Sequence, residues 1–374
     1  MAGSIQDVRR ACVEAGRGVA AQAARCGAAL DADDSFPARE IEALSRCGLL
    51  RAPLPARLGG ADLAEPLCAN ALALVLSALG GGSLPLGRLY EGHVNALTLI
   101  LRYGTPAQAR AAAIRAQEGE LLAVWNTEGA QGVRLEPHRD GFRLEGAKIL
   151  ASGAGFVRYP LITARTPSGA LLMVVPDAAT AKADLAGWRA QGMRASASGT
   201  VDFSGLFASA EEIVGGPDDY HRQSLFSAGA WRFAAVHYGG IAALFDLARA
   251  HLVKTARADD PHQAARLGQA AIAVETARLW TFGAAQAAHL EDAEAAVAYV
   301  DLARLAVERA GLDVLELVHR SVGLSAFMRP HPIERLSRDL ATYLRQPAPD
   351  RALTEAARFL ARSERPIGEQ WERP

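Results

Sequence analysis

Two short segments carry most of the chemistry that can be read from this chain. They are Trp125-Asn126-Thr127-Glu128-Gly129 and, further on, Gly146-Ala147-Lys148-Ile149-Leu150-Ala151-Ser152-Gly153. Each is an apolar run that ends in a small hydroxyl residue and a glycine. Strand ends of this kind present hydroxyls and backbone N–H groups, and two of them side by side can hold one flat polar ligand. Thr127 and Ser152 are the candidate hydroxyls. The other reactive residue types form no comparable pattern. Cys12, Cys26, Cys47 and Cys68 all lie in the first fifth of the chain, with no CxxC and no His at ligand spacing. Neither a metal site nor a disulfide framework is expected, and thiols in a reducing cytoplasm are the default. His237 is a lone histidine on an Ala-rich helical stretch, where packing explains it better than chemistry.

The elements that must position these segments follow from periodicity. Residues 4–30 are Ala-rich with apolar positions at helical spacing. Pro37 opens a second helix that Gly48 closes, and helical character returns over Ala64–Leu79, Gly92–Arg102 and Pro106–Glu118. Gly80-Gly81-Gly82 predicts a flexible break. Near Glu120 the texture changes to short apolar runs: Leu121–Trp125, Phe142–Glu145, Leu161–Ala164, Leu171–Val175 and Val201–Phe203. His138-Arg139-Asp140-Gly141 and Pro167-Ser168-Gly169 read as hairpin connections, so the expectation is a small antiparallel β barrel or sandwich. Beyond Ser224 the chain is helical again, over Ala228–Ala250, Pro261–Leu290, Ala293–Gly311, Val314–Gly323, Glu334–Arg345 and Asp350–Ser363. Such helices with short breaks predict an antiparallel bundle. The expected organisation is a helical domain over 1–119, a β domain over 120–217 and a helical bundle over 218–374.

Composition narrows the function classes. The chain has 374 residues, a formal net charge of −1 and 50% hydrophobic residues. That length exceeds what one core usually supports, so two or three domains are expected. There is no basic excess to favour nucleic acid. No long uncharged apolar run predicts a membrane span, and the N-terminal residues do not read as a secretory signal.

The whole chain resembles the acyl-CoA dehydrogenase superfamily. The landmarks run in order: Phe36-Pro37; Leu49-Leu50 and Pro55 before Gly59-Gly60; His93; Tyr103-Gly104-Thr105; Gly119-Glu120 leading to Thr127-Glu128; Gly146 with Lys148; Ser152-Gly153; Gly192-Met193-Arg194; Arg232; and Pro332, Glu334-Arg335 and Arg338-Asp339. No single landmark is specific, but their order and spacing are. The resemblance implies a helical domain, a β domain and a four-helix bundle, with FAD between the β domain and the bundle and a homodimer or homotetramer as the assembly. It places Val124, Trp125, Asn126 and Thr127 against the flavin ring, together with Leu150 and Ser152 of the second segment. Gly132 falls in the turn that follows. Thr127 could equally satisfy its own backbone, and Ser152 could sit in a plain turn. His319, with Gly323, stands where the family's late glutamine and glycine cluster contacts the flavin of a neighbouring subunit. Arg257 and Arg266 are candidates for the pyrophosphate.

Three departures bear on the reaction. Val133 and Arg134 replace the serine and aspartate of the family's substrate-side turn, so binding of a CoA arm is not implied. The dehydrogenases remove a proton next to a thioester carbonyl with a glutamate. Counted from Arg338-Asp339, that position is Pro347, and the alternative position before Arg232 is Trp231. Glu91 and Asp350 are the remaining carboxylates near the site in register. Three functions stay open. The first is an FAD-dependent oxidoreductase taking hydride from a carbonyl-activated CH–CH substrate such as an acyl thioester, with an electron-transfer partner. The second is a monooxygenase of the same fold, using reduced flavin from a reductase and dioxygen. The third is a non-catalytic or regulatory homologue.

Overall fold

The computed structural model of the protein describes residues 5–371. The chain is helical to Gln117, forms strands between Leu122 and Val214, and is helical again from Leu225. The first helices are α1 (Ile5–Ala32), α2 (Ala38–Arg46), α3 (Ala69–Gly82), α4 (Leu84–Tyr103) and α5 (Pro106–Gln117). The later ones are α6 (Leu225–Ala228), α7 (Trp231–Lys254), α8 (Pro261–Ala287), α9 (Ala293–Val322), α10 (Pro332–Tyr343) and α11 (Pro349–Arg362). Local chemistry sets several of their starts. Ser83 accepts from the Leu86 N–H at the head of α4, Thr105 and Gln108 form a capping box on α5, and Asp260 and Asp292 cap α8 and α9. Each of these caps satisfies N–H groups that have no partner inside the helix. Helices α7 to α10 pack as a bundle, with α11 against α9 and α3 against α7.

Two segments expected to break the chain are helical. Gly80, Gly81 and Gly82 form the last turn of α3. They permit close helix crossings: a Cβ on Gly80 would lie 2.2 Å from the Val236 carbonyl oxygen, and one on Gly82 would lie 2.3 Å from that of Ala20. The facing Gly239 of α7 would place a Cβ 1.9 Å from the Ser77 carbonyl oxygen. Likewise, the two helices expected over 293–323 are the single helix α9. Gly311 leaves room there for Leu344 and Ile241, whose methyl carbons lie 2.9 and 3.2 Å from its ideal Cβ.

The strands are β1 (Leu122–Trp125), β2 (Arg134–His138), β3 (Gly141–Glu145), β4 (Ala147–Ala151), β5 (Tyr159–Arg165), β6 (Leu171–Val174), β7 (Lys182–Asp184), β8 (Gly199–Asp202), β9 (Phe207–Ser209) and β10 (Ile213–Val214). They form a larger sheet, ordered β10-β6-β5-β2-β3-β9 with β1 also on β5, and a small sheet, β4-β8-β7. The expected small, mainly antiparallel β domain is present, with two departures from an antiparallel barrel. Strands β1 and β2 both run parallel to β5, and the sheet does not close. Strand β1 reaches β5 only after β2, β3 and β4, a connection long enough for parallel pairing. Strand β2 escapes a pattern search because Pro137 interrupts it and only Leu135 is buried.

The family landmarks near the C-terminus tie these parts together. The Asp339 carboxylate accepts from the Met193 N–H at 2.6 Å, and the Arg338 guanidinium bonds Asp31, Glu334 and the Gln191 carbonyl. Gly192 is required there, since a Cβ would sit 2.1 Å from the Arg338 carbonyl oxygen. These residues therefore join α1, α10 and the loop before β8. No helix among the described residues is long and apolar enough to cross a membrane.

A methyl group at the α3–α7 crossing should therefore be costly. Gly239→Ala is expected to lower stability by about 1–3 kcal/mol through overpacking. Gly268→Ala, on α8 with nothing within 4 Å of its Cβ, should raise stability by about 0.5–1 kcal/mol. Urea unfolding of the two variants beside the parent checks both signs.

Candidate active site

The two chemistry-bearing segments are adjacent in space, and one buried ammonium joins them. Lys148 of β4 is fully buried. Its Nζ donates to Glu128 Oε1 at 3.0 Å, Thr163 Oγ1 at 2.9 Å and the Asn126 carbonyl at 3.2 Å. These partners use all three donors of the group. Thr163 Oγ1 in turn donates to Asn126 Oδ1 at 2.7 Å. Burial pulls the ammonium below the usual lysine range, and the bond to Glu128 opposes that shift. The Ile149 N–H also donates to the Thr127 carbonyl at 3.0 Å. Gly132 belongs to this arrangement as well, because a Cβ there would fall 2.5 Å from the Glu128 carboxylate carbon.

Beside this network lies a cavity of about 880 Å³ between the β1 end of the sheet and the helices. Val124, Asn126 and Thr127 form its sheet side. Thr127 is exposed on that wall, and its hydroxyl takes no part in the bonds that hold Asn126 and Glu128. Helix α4 contributes Glu91, α7 contributes Arg232 and Phe233, and α9 contributes Asp301 and Arg304. The segment from Pro347 into α11 completes the wall. A volume of this order suits a flat tricyclic ring together with a small substrate.

The remaining predicted residues stand elsewhere. Strand alternation turns Trp125 away from Val124 and Asn126. Its indole is buried against Phe203 and donates to the Ser152 carbonyl at 2.9 Å. The Ser152 hydroxyl lies 3.1 Å from Ser198 Oγ, which is 2.8 Å from Ser196 Oγ, so it belongs to a buried hydroxyl chain off the cavity wall. Leu150 sits at a bulge in β4 with φ of 54° and is exposed. Arg257 precedes α8 and joins a second polar cluster, while His319 and Gly323 stand at the end of α9. With its amide oxygen turned toward the arginines, Gln263 accepts from Arg257 at 2.7 Å and Arg266 at 3.3 Å and donates to Ser321 at 3.1 Å. The His319 ring packs 4.4 Å from Phe327 with its Nε2 unpartnered, and burial lowers its pKa. Gly323 ends α9 at φ 74°. His237 is buried edge-on to Tyr343 at 4.5 Å, and burial lowers its pKa to about 3.

Neither position expected from the resemblance to bear a proton-abstracting acid holds one. Pro347 is on the cavity wall, its carbonyl accepting from Arg304 at 2.7 Å, and Trp231 is buried in the core. Glu91 is buried in the cavity floor, but both of its oxygens are engaged, one by Arg88 at 2.5 Å and the other by Asn95. The spacing of Arg88, Glu91 and Asn95 on one face of α4 is a legible signal for this cluster. Asp301 and Arg304 carried no such signal, since charges at helical spacing usually mark a solvated face.

Comparison with known proteins agrees with this architecture. Residues 7–120 match the acyl-CoA dehydrogenase N-terminal domain and residues 219–344 the acyl-CoA dehydrogenase C-terminal domain, and the chain belongs to the acyl-CoA dehydrogenase superfamily. Within it, the chain is similar to L-evernosamine nitrososynthase of a Micromonospora species, at 29% identity over 83% of this chain and 80% of that protein. Its fold is similar to that of FMN-bound TdsC from Paenibacillus sp. A11-2, with a TM-score of 0.83 and 20% identity over 96% of this chain and 100% of the other. It is likewise similar to KijD3 in complex with FMN and dTDP-3-amino-2,3,6-trideoxy-4-keto-3-methyl-D-glucose, with a TM-score of 0.82 and 20% identity over 99% and 97% of the two chains.

Two variants test the site's construction. Lys148→Met leaves Glu128 and the Asn126 carbonyl without their donor and should cost about 2–4 kcal/mol, moderated because Glu128 is partly exposed. Adding Glu128→Gln should recover part of that loss in a double-mutant cycle. Burial raises the Asp301 carboxyl to about 6, against Arg304 and Arg351, which lower it. The folded protein thus holds this proton at higher pH than the unfolded chain, and the associated stability is lost as pH rises toward and through 6. Asp301→Asn should therefore be more stable than the parent by roughly 1–3 kcal/mol at pH 8, with little difference near pH 4, in thermal melts across that range.

Proposed function

We propose that this chain is a flavin-dependent monooxygenase, using reduced flavin and dioxygen to oxygenate a small molecule, with an amine nitrogen as the first substrate centre to test. The observation that carries the reading is Pro347. It stands where the resemblance puts the family's proton-abstracting acid, lines the cavity, and offers no group to take a proton. Oxygenation needs no such base. The alternative, dehydrogenation of an acyl thioester, is further disfavoured because Val133 is buried in the core and Arg134 is a strand residue where the family's substrate-side turn would be. The nitrososynthase relative supports nitrogen as the centre.

FMN is the flavin proposed, in place of the FAD that the family resemblance implies, because two of the similar structures hold FMN. When bound and reduced, a flavin supplies two electrons to dioxygen, so that one oxygen atom enters the substrate and the other leaves as water. The chain's own residues bind and orient. Thr127 offers its hydroxyl to a polar ring edge, and Asn126 is held in place by Lys148 and Thr163. Donors fixed in advance in this way need no reorganisation when charge develops on the ring. Leu99, Val124, Phe226 and Phe233 give the cavity apolar walls that limit water.

The test is a coupled assay. The purified chain, FMN, a separate NADH-dependent flavin reductase and an amino sugar nucleotide are supplied with isotopically labelled dioxygen. The expected result is label in the product only when the chain and the reductase are both present. Thr127→Ala should weaken FMN binding by about tenfold, close to 1.4 kcal/mol. Anaerobic bleaching of bound flavin by an acyl-CoA, with no labelled product from any amine, would overturn the reading in favour of dehydrogenation.

A further inference from the structure

Arg232 stands out in the cavity floor because it is buried, charged and almost unbonded. It is 7% exposed and lies on the cavity wall. A guanidinium has five N–H donors. The one hydrogen bond this guanidinium makes among the described residues is a long one, 3.4 Å from Nη1 to the Gly229 carbonyl. It also lies 5.6 Å from the Trp231 ring, a weak cation–π distance. Burial lowers its pKa to about 10, while the field of Glu91 acts in the opposite direction. The group therefore stays protonated at neutral pH.

The nearby acid does not neutralise it. Glu91 gives both of its oxygens to Arg88 and Asn95. Arg88, behind the wall, and Arg232, on it, thus share the one carboxylate of Glu91, and only Arg88 bonds it. Neighbouring Tyr220 and Tyr343 are phenols that burial keeps neutral, Tyr220 with a pKa raised to about 12. Space has been left at the guanidinium as well. A Cβ on Gly229, also on the wall, would lie 3.2 Å from Arg232 Nη1 and 3.0 Å from the Leu225 carbonyl oxygen. A buried cation with free donors costs stability unless a partner arrives.

We infer that Arg232 is the binding residue for a compact oxyanion on the substrate, a carboxylate, sulfinate or phosphate group received bidentately by its free guanidinium edge. A planar fork of N–H donors matches such groups in geometry and charge. The substrate class is then a small molecule carrying an oxidisable heteroatom and an oxyanion. This deepens the monooxygenase reading and rests on it only for the ligand's being a substrate.

The experiment needs neither reductase nor dioxygen, so failure of oxygen transfer and failure of oxyanion binding are separate results. Benzoate and its uncharged analogue benzamide are titrated calorimetrically into the full-length chain, with and without FMN. The expected result is that benzoate binds, benzamide binds at least tenfold more weakly, and Arg232→Met loses at least tenfold in benzoate affinity. FMN affinity should not change. Arg232→Met should also melt no lower than the parent, because it removes an unpaired buried charge. Arg232→Lys keeps the charge and loses the fork, and should bind benzoate several-fold more weakly than the parent; it carries the test if the methionine variant does not fold. Equal benzoate affinity in the parent and either variant overturns the inference. So does competition between benzoate and FMN with weakened FMN binding in Arg232→Met, which would assign the site to the cofactor's phosphate.

Discussion

Lys148 points its three donors at Glu128, Thr163 and the Asn126 carbonyl, which belong to the end of β1, the turn beyond it and the neighbouring strand β5. Without that ammonium the Glu128 carboxylate and the Asn126 carbonyl, both half-buried on the cavity wall, would lose the donor that fixes them. With it, the same residues form a fixed wall. The charge is tolerable because its full complement of bonds is made, which is the condition under which burial of an ion is sustained. Gly132 belongs to the same constraint, since any side chain there would displace the Glu128 carboxylate.

The cavity shows the opposite treatment of charge. Lys148 is buried and saturated, whereas Arg232 is buried and nearly bare. Glu91 lies between these extremes, satisfied by its own helix neighbours. The sheet side of the cavity is therefore electrostatically finished, while on the helical floor the Arg232 guanidinium keeps free donors. A ligand that is flat and polar on one side and anionic on the other meets both conditions at once. This polarity follows from side-chain contacts and owes nothing to net composition, which is close to neutral.

The fold was legible because its landmarks are mostly structural. Gly192, Met193, Arg338 and Asp339 interlock one loop with two helices, so their order in the chain carries the architecture. Lys148 was legible as a landmark of its segment, because a lysine inside a short apolar strand must find partners nearby. The glycines of α3 and α9 misled because a glycine is read locally as a break, while here it answers a helix packed on it from elsewhere in the chain. Trp125 and Ser152 show the same limit at the site. Their types fit a flat ligand, but the pleat sends the indole inward, and the serine pairs with Ser198, a partner from a distant strand. Arg232 was seen as a landmark, yet its lack of partners is a property of three dimensions.

The backbone-to-backbone seating of α7 on α3 has a mechanical consequence. Only Ser83 separates α3 from α4, so the helix that bears Glu91 and the helix that bears Arg232 are clamped to a common support. The floor of the cavity behaves as one stiff plate. Any widening needed for a ligand to pass falls to the margin, where Pro347 and Ala348 lead into α11 and Arg304 reaches the Pro347 carbonyl.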